Sequence, residues 1–438
     1  MKSLRKSMKS SIIVMRLATA AFVFAVALTA TNAQAAATTV GDLLVYRVGT
    51  GSGALGNTAT AVFLDEYTPL GTLVQSIALP TTGSAALTAV GNDATEGMMS
   101  LSQNGLVFTG YRADVGAINP SAAAPGTVNR VIGTMGLAGL ANTSVALTDP
   151  SGTIRSATST DGSSLFYIGT SAGLRYVASP SGAATSIQID SRSTRQALLN
   201  GNTLFASGTL AGNTGKVQSY GPLPVGATTG IPIVSLGLTD SVNGFAFFDL
   251  SSSVAGPDTL YALSTVGNLV RKYTFDGTSW TASGTIGSSG AINLTGFAID
   301  GTVSLFLASG STLYSEIDNS GYNANITGSL LPIATAGPNT AFRGVVVIPE
   351  PGVLSLGLVA AATLLALQRR RSRSLRGFFV KEAQSDSCPA PSTCNPSRLH
   401  PHRIAGRHRD HRHPGRSAVA RPGESQSQSR GHLLSQQP

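Results

Sequence analysis

From Ala36 to Gln368 the sequence contains no cysteine and no histidine; Cys388, Cys394 and all six histidines lie after it. This double absence removes a disulfide framework, a cysteine nucleophile, Cys/His zinc sites and the base of a Ser-His-Asp relay. Chemistry in this stretch would have to rest on carboxylates, Lys, Tyr and Arg. Charged residues make up only 12 % of the chain and aromatic residues 6 %, with a single Trp. Roughly 310 residues can nevertheless bury a large core without cross-links.

A basic surface is also missing from the central stretch, although the chain as a whole carries a formal charge of +9. Residues 1–35 hold five Lys/Arg and no acid, residues 36–368 hold eleven against seventeen acids, and residues 369–438 hold fourteen against four. The centre is therefore mildly acidic, and the high pI gives no reason to expect a nucleic-acid partner. The first 35 residues read as a signal peptide: the basic MKSLRKSMKS, the apolar LATAAFVFAVALTA, and a small-residue site at Ala33 and Ala35, with cleavage before Ala36 by signal peptidase. Export follows as the expectation.

Between Thr38 and Ile348 there is no sustained helical period. Short runs rich in β-branched, aromatic and Leu residues, such as DLLVYRVG, GLVFTGY, SLFYIGT and TLYALS, alternate with Gly, Asn, Asp, Ser and Pro, as in an all-β domain. The runs repeat as a strand, a turn and an apolar-aromatic strand, starting at Glu96, Ile154, Thr194, Ser241 and Asn293. These starts are 58, 40, 47 and 52 residues apart, close to the length of a β-propeller blade. AFRGVVVIP at Ala341 is a first strand without a second, and GDLLVYRVG at Gly41 is a second strand without a first. Pairing the two predicts a β-propeller-like domain over 36–348, closed by its N- and C-terminal strands. Six blades result, or seven if Val128 to Thr148 forms one more; a β-sandwich or β-solenoid is the alternative architecture.

Asp65, Glu66, Glu96, Asp114 and Asp161 are the candidate carboxylates for acid/base work or Ca²⁺ binding. Their spacing matches no D-x-D-x-D-G loop, so turn and surface roles are expected, with no metal and no cofactor. GTGSGALG, Gly49 to Gly56, precedes no helix pattern and reads as a loop rather than a phosphate cradle. YTFDGTSWTASG, Tyr273 to Gly284, resembles kelch-type and Asp-box hairpins but lacks the spacer between Asp and Gly; it reads as a DG turn with Trp280 packed between blades.

The order at the C-terminal side is more specific. Pro349, Glu350 and Pro351 precede the apolar VLSLGLVAAATLLAL, Val353 to Leu367, which is followed by Arg369, Arg370 and Arg371. This order resembles the PEP-CTERM sorting signal, the substrate of exosortase enzymes. The resemblance implies a transmembrane sorting helix within 349–371, with the arginines as a cytoplasmic stop, the apolar run held briefly in the inner membrane, and cleavage near Pro-Glu-Pro. The run is about fifteen residues, short of the roughly twenty of a durable span. Residues 372–438, rich in Arg, His, Ser and Pro, are expected to be disordered, and their abrupt change of composition fits a frame slip or missed stop codon. The combined expectation is an exported, exosortase-processed surface or matrix protein, non-enzymatic and associated with exopolysaccharide. The alternative is a secreted propeller hydrolase or lyase acting on polysaccharide through the carboxylates.

Overall fold

A computed structural model describes residues 35–349 apart from Ser179 and Ala211; Ala33, Glu350 to Arg371 and the tail lie outside the described residues. Within them the chain is built of strands, joined by turns and one short 3-10 turn at Gly83–Ala85.

In chain order, the first group of strands is β1 (Leu43–Val48), β2 (Ala59–Tyr67) and β3 (Leu73–Ala78), followed by the short β4 (Thr88–Val90). A second group is β5 (Ser100–Ser102), β6 (Gly105–Tyr111), β7 (Arg130–Met135) and β8 (Ala141–Leu147). The third contains β9 (Ile154–Thr158), β10 (Phe166–Thr170), β11 (Gly173–Val177), the two-residue β12 (Ala183–Ala184) and β13 (Ile187–Asp190). The fourth is β14 (Thr194–Asn200), β15 (Thr203–Gly208), β16 (Gly215–Pro222) and β17 (Ile231–Ser235). The fifth is β18 (Val242–Phe248), β19 (Thr259–Ser264), β20 (Leu269–Phe275) and β21 (Trp280–Gly287). The last is β22 (Asn293–Ile299), β23 (Thr302–Ala308), β24 (Thr312–Asp318) and β25 (Leu331–Thr335), after which β26 (Ala341–Val347) ends the described chain.

The third to sixth groups are separate four-stranded antiparallel sheets, in which β12 is replaced by β13. β26 pairs antiparallel with β1, so β26, β1, β2 and β3 form a sheet of the same plan from the two ends of the domain. β4 pairs with β2 and touches β6, while β12 adds parallel to β8, so the first two groups are tied into one ten-stranded ladder. Val128 to Thr148 supplies β7 and β8, the third and fourth strands of the second group, rather than a further unit.

Period-two side chains explain why both faces of each sheet are apolar. In β6, Leu106 and Phe108 enter the core shared with the first sheet, while Val107 and Tyr111 enter the core shared with the third. In β1, Leu44, Tyr46 and Val48 face the second sheet; Leu43 and Val45 face the sixth. The remaining apolar layers join the third sheet to the fourth, the fourth to the fifth and the fifth to the sixth. Each sheet thus has a neighbour on both faces, and a one-residue slip would expose a whole set of side chains. The fourth strands β17 and β25 are sheet edges; they are largely exposed and carry Pro232 and Pro332, which cannot donate to an added strand. Trp280 packs in the layer between the fourth and fifth sheets, against Phe247 and Phe275. The architecture is all-β and compatible with a propeller-like fold.

Both ends of the domain meet at one point. The Gly41 amide donates to the Ile348 carbonyl (2.9 Å) and the Ile348 amide to the Asp42 carbonyl (2.8 Å). Among the described residues no helix is long and apolar enough to cross a membrane.

Candidate functional site: an arginine cluster on the first strands of the sheets

The candidate carboxylates do not converge. Asp65 is paired with Arg47 (Oδ2 to Nε, 2.5 Å) and accepts the Ser76 hydroxyl, while the adjacent Glu66 accepts the Thr39 amide (2.5 Å) and the Gln75 side-chain amide (2.6 Å). The latter bonds dock the N-terminal strap, where Gln75 also exchanges two 3.1 Å hydrogen bonds with the backbone of Ala36. Asp114 accepts the Gly83 amide at 2.8 Å, fixing the 3-10 turn. Asp161 accepts the amides of Ser163 and Ser164 and the Ser164 hydroxyl, each at 2.8 Å. Burial works against its charged form, but these bonds outweigh it and hold its carboxyl well below the usual carboxylate range.

Of these, only Glu96 lies by the first strands of the sheets, just before β5. It is 2 % exposed; its Oε2 accepts the Val90 amide at 2.8 Å and its Oε1 accepts the Tyr111 hydroxyl at 2.7 Å. Burial, and then the charge of Asp93, push its carboxyl up to about 8 against the opposing effects of Tyr111, Val90 and Arg343. Burial thus favours its neutral form. Both oxygens are already engaged with the protein.

The first strands of successive sheets lie side by side: β9 against β14, β14 against β18, β18 against β22, and β22 against β26. β5 lies against β9, and Gly344 of β26 packs on the backbone of Gly97 and Met99 at the entry to β5. A Cβ on Gly344 would collide with the Gly97 carbonyl, and one on Gly97 (φ +77°) would come within 2.7 Å of the Tyr46 ring. These two glycines allow the first and last parts of the chain to meet. Polar side chains bond the strands laterally: Ser156 Oγ accepts the Ala197 amide (2.9 Å), Gln196 Oε1 the Phe245 amide (2.7 Å) and Asn293 Oδ1 the Val345 amide (2.9 Å).

One residue before each of Ser156, Gln196 and Gly344 stands an arginine: Arg155, Arg195 and Arg343. Arg155 donates to Thr95 Oγ1 (3.2 Å), Ser193 Oγ (2.8 Å) and the Thr194 carbonyl (3.1 Å), and Arg343 to the carbonyls of Gly91 (2.8 Å) and Phe342 (3.3 Å). Among the described residues Arg195 donates no hydrogen bond, and none of the three lies within 4.0 Å of a carboxylate. The buried Nε atoms of Arg195 and Arg343, and Nδ2 of Asn293, have no hydrogen-bond partner. Asp93 acts on all three guanidinium groups without pairing with any; it is spent on the Thr95 amide (2.8 Å) and hydroxyl (2.7 Å). Burial lowers the affinity of each arginine for its proton, and for Arg155, brought down to about 10, the nearby Arg195 adds to the effect. All three remain charged at neutral pH.

Farther along the same strands, β5, β14, β18, β22 and β26 surround a cavity of about 270 Å³ lined by residues including Leu101, Leu198, Phe247, Gly296 and Val345. It contains no titratable side chain, so an acid/base pair is not found there. Sequence reasoning missed the arginines. The signal was in the repeats as IRS, TRQ and FRG, an arginine at the same place in three first strands.

Among the described residues no group of three or more His, Cys, Asp or Glu side chains could hold a metal ion. No protein-family model and no curated protein matches the chain. Solved structures similar to it include the following two. One is a proposed 6-phosphogluconolactonase from Bacteroides uniformis ATCC 8492, with 11 % identity and a TM-score of 0.39, covering 68 % of this chain and 83 % of that one. Another, from Bacteroides fragilis NCTC 9343, has 9 % identity and a TM-score of 0.41, covering 68 % and 82 %. Likenesses this loose carry no function to this chain.

Proposed function

We propose that the chain is an exported protein whose six sheets form a six-bladed propeller, and that it serves a non-enzymatic binding or structural role in association with exopolysaccharide. In this reading signal peptidase cuts before Ala36 and exosortase cuts near Pro349, Glu350 and Pro351. The apolar run and Arg369, Arg370 and Arg371 provide the inner-membrane intermediate, before delivery to the cell surface or medium. Each sheet has apolar neighbours on both faces, as blades do, which supports the propeller reading.

The observation that carries the non-enzymatic reading is the dispersal of the carboxylates. A glycosidase needs two carboxyl groups flanking the scissile bond, about 5–10 Å apart, yet Asp65, Glu66, Asp114 and Asp161 are each bound to separate structural partners. Glu96 is buried, with both oxygens engaged, and the neighbouring Asp93 accepts the amide and hydroxyl of Thr95, so this pair does not offer two free carboxyl groups. Incubating the purified chain with the producing organism's exopolysaccharide, then measuring bound and depolymerised polymer, tests this. Retention without loss of polymer length is expected. Depolymerisation abolished by Glu96→Gln or Asp65→Asn would establish the hydrolase or lyase instead. In a host with the matching exosortase, alanines at Pro349, Glu350 and Pro351 should leave export intact and trap uncut precursor; release at normal size would contradict that processing route.

A further inference from the structure

Arg155 and Arg195 stand on adjoining strands and repel one another, Arg343 shares with them the nearby charge of Asp93, and nothing in the lateral bonding of the strands requires Arg195. Ser156, Gln196 and Asn293 provide the strand-to-strand bonds, whereas Arg195 bonds to nothing in the protein among the described residues. Arg343 is 3 % exposed and its Nε is unpartnered. A buried guanidinium donor without an acceptor is costly unless a ligand or water supplies one. Asp93 is the one carboxylate acting on all three arginines, so the cluster keeps an excess of positive charge. Arg195 is only partly buried, as are Asp93, Thr95 and Ser193 around the cluster, and Asn92 and Ala94 of the same loop are exposed.

Guanidinium forks match the geometry of carboxylate and phosphate oxyanions and hold them more specifically than an ammonium does. The hydroxyls of Thr95 and Ser193, both partly exposed, lie on Arg155. The Thr95 hydroxyl is given to Asp93, whereas the Ser193 hydroxyl is left to donate to an alcohol group that accompanies a carboxylate in a sugar acid. The two residues before Ser193, Ser191 and Arg192, line with Asp190, Asn213 and Thr228 a separate polar cavity of about 440 Å³. We propose that Arg155, Arg195 and Arg343 form an oxyanion-binding site that takes the carboxylate of an acidic saccharide, a hexuronate, at the centre of the sheets. The saccharide part rests on the polysaccharide reading above; the oxyanion part does not.

The test is the thermal unfolding midpoint of the purified chain against increasing glucuronate, oligogalacturonate, sulfate or glucose, at ionic strength matched with chloride. Saturable stabilisation by glucuronate and oligogalacturonate, and none by glucose, is expected. Arg195→Gln, which removes no hydrogen bond to the protein, should weaken the apparent affinity at least tenfold without lowering the midpoint in chloride; Arg195→Lys should fall between. A merely structural Arg195 would instead lower the midpoint in chloride and leave anion dependence unchanged, overturning the proposal. Stabilisation by sulfate alone, lost in Arg195→Gln, would overturn the saccharide assignment while leaving an oxyanion site. Polysaccharide retention unchanged by Arg195→Gln, with no anion effect, would overturn the site and leave the polysaccharide reading standing.

Discussion

At the scale of single residues, the strongest structural commitment is the buried trio of Lys272, Asp318 and Tyr261 between the fifth and sixth sheets. Lys272 Nζ lies 2.9 Å from Asp318 Oδ2, which also accepts the Tyr261 hydroxyl at 2.5 Å, and Lys272 donates to Ser320 Oγ (2.8 Å) and the Gly321 carbonyl (2.6 Å). Burial opposes the charge on Asp318, yet the bonds from Ser320, Tyr261 and Lys272 prevail and hold its carboxyl below the ordinary value. Lys272→Met leaves that charge buried and unpaired, so urea unfolding should register a loss of about 3–5 kcal/mol. A loss under about 1 kcal/mol would mean that the pair is wetter than its burial implies. Glu96 predicts a pH dependence. Its proton is held in the folded state up to about 8, whereas in an unfolded chain it leaves near the ordinary glutamate value of about 4.3. The folded state therefore binds the extra proton. Stability from this group is complete below the unfolded value and declines as pH rises through about 8. Asp93, Tyr111 and Arg343 face it and remain in place in Glu96→Gln, so the urea midpoint of that variant should fall less than the parent's between pH 5 and pH 8.5. Parallel profiles would remove Glu96 as the source.

At the scale of elements, pairing of β1 with β26 was legible because each reads as half of a repeat. One lacks a preceding strand and the other a following one, and the edge each would leave is resolved only by joining them. The starts at Glu96, Ile154, Thr194, Ser241 and Asn293 likewise mark the entries to the second to sixth sheets, since turn residues and period-two apolar runs are local signals. Asp161 and Asp276 were legible as turn residues for the same reason: their partners are Ser163 and Ser164, and Thr278 and Ser279. Glu96 and the arginines were not. An Arg in IRSAT or FRGVVV looks like an outward-facing residue of a half-exposed strand; its burial arises only when first strands from distant parts of the chain adjoin. Deleting Asp42 to Val48 tests the closure. It strips β26 and β2 of their shared partner and uncovers apolar side chains of the first and sixth sheets. The deleted chain should aggregate at concentrations where the parent is monomeric by light scattering; an equally heat-stable monomer would mean that β1 is dispensable.

At the scale of the whole molecule, the mildly acidic centre, the strap docked from Ala36 and the strand that runs out at Ile348 and Pro349 agree with one another. The strap is held by Gln75 and Glu66 immediately after the expected signal-peptidase site, and Ile348 is hydrogen-bonded to Gly41 and Asp42 immediately before Pro-Glu-Pro. Cutting at both places would remove the basic ends and leave the sheets and all three arginines intact. Proline on either side of Glu350 removes two amide donors and favours extended backbone, which suits a recognition element outside the last strand. The central claim is that this domain is released from a longer precursor. Intact-mass and terminal-peptide mass spectrometry of the protein from culture medium tests it most directly. A mature chain beginning at Ala36 and ending within or beside Pro349–Glu350–Pro351 is the predicted result; a secreted chain still carrying Val353 to Leu367, or one that begins at Met1, would contradict it.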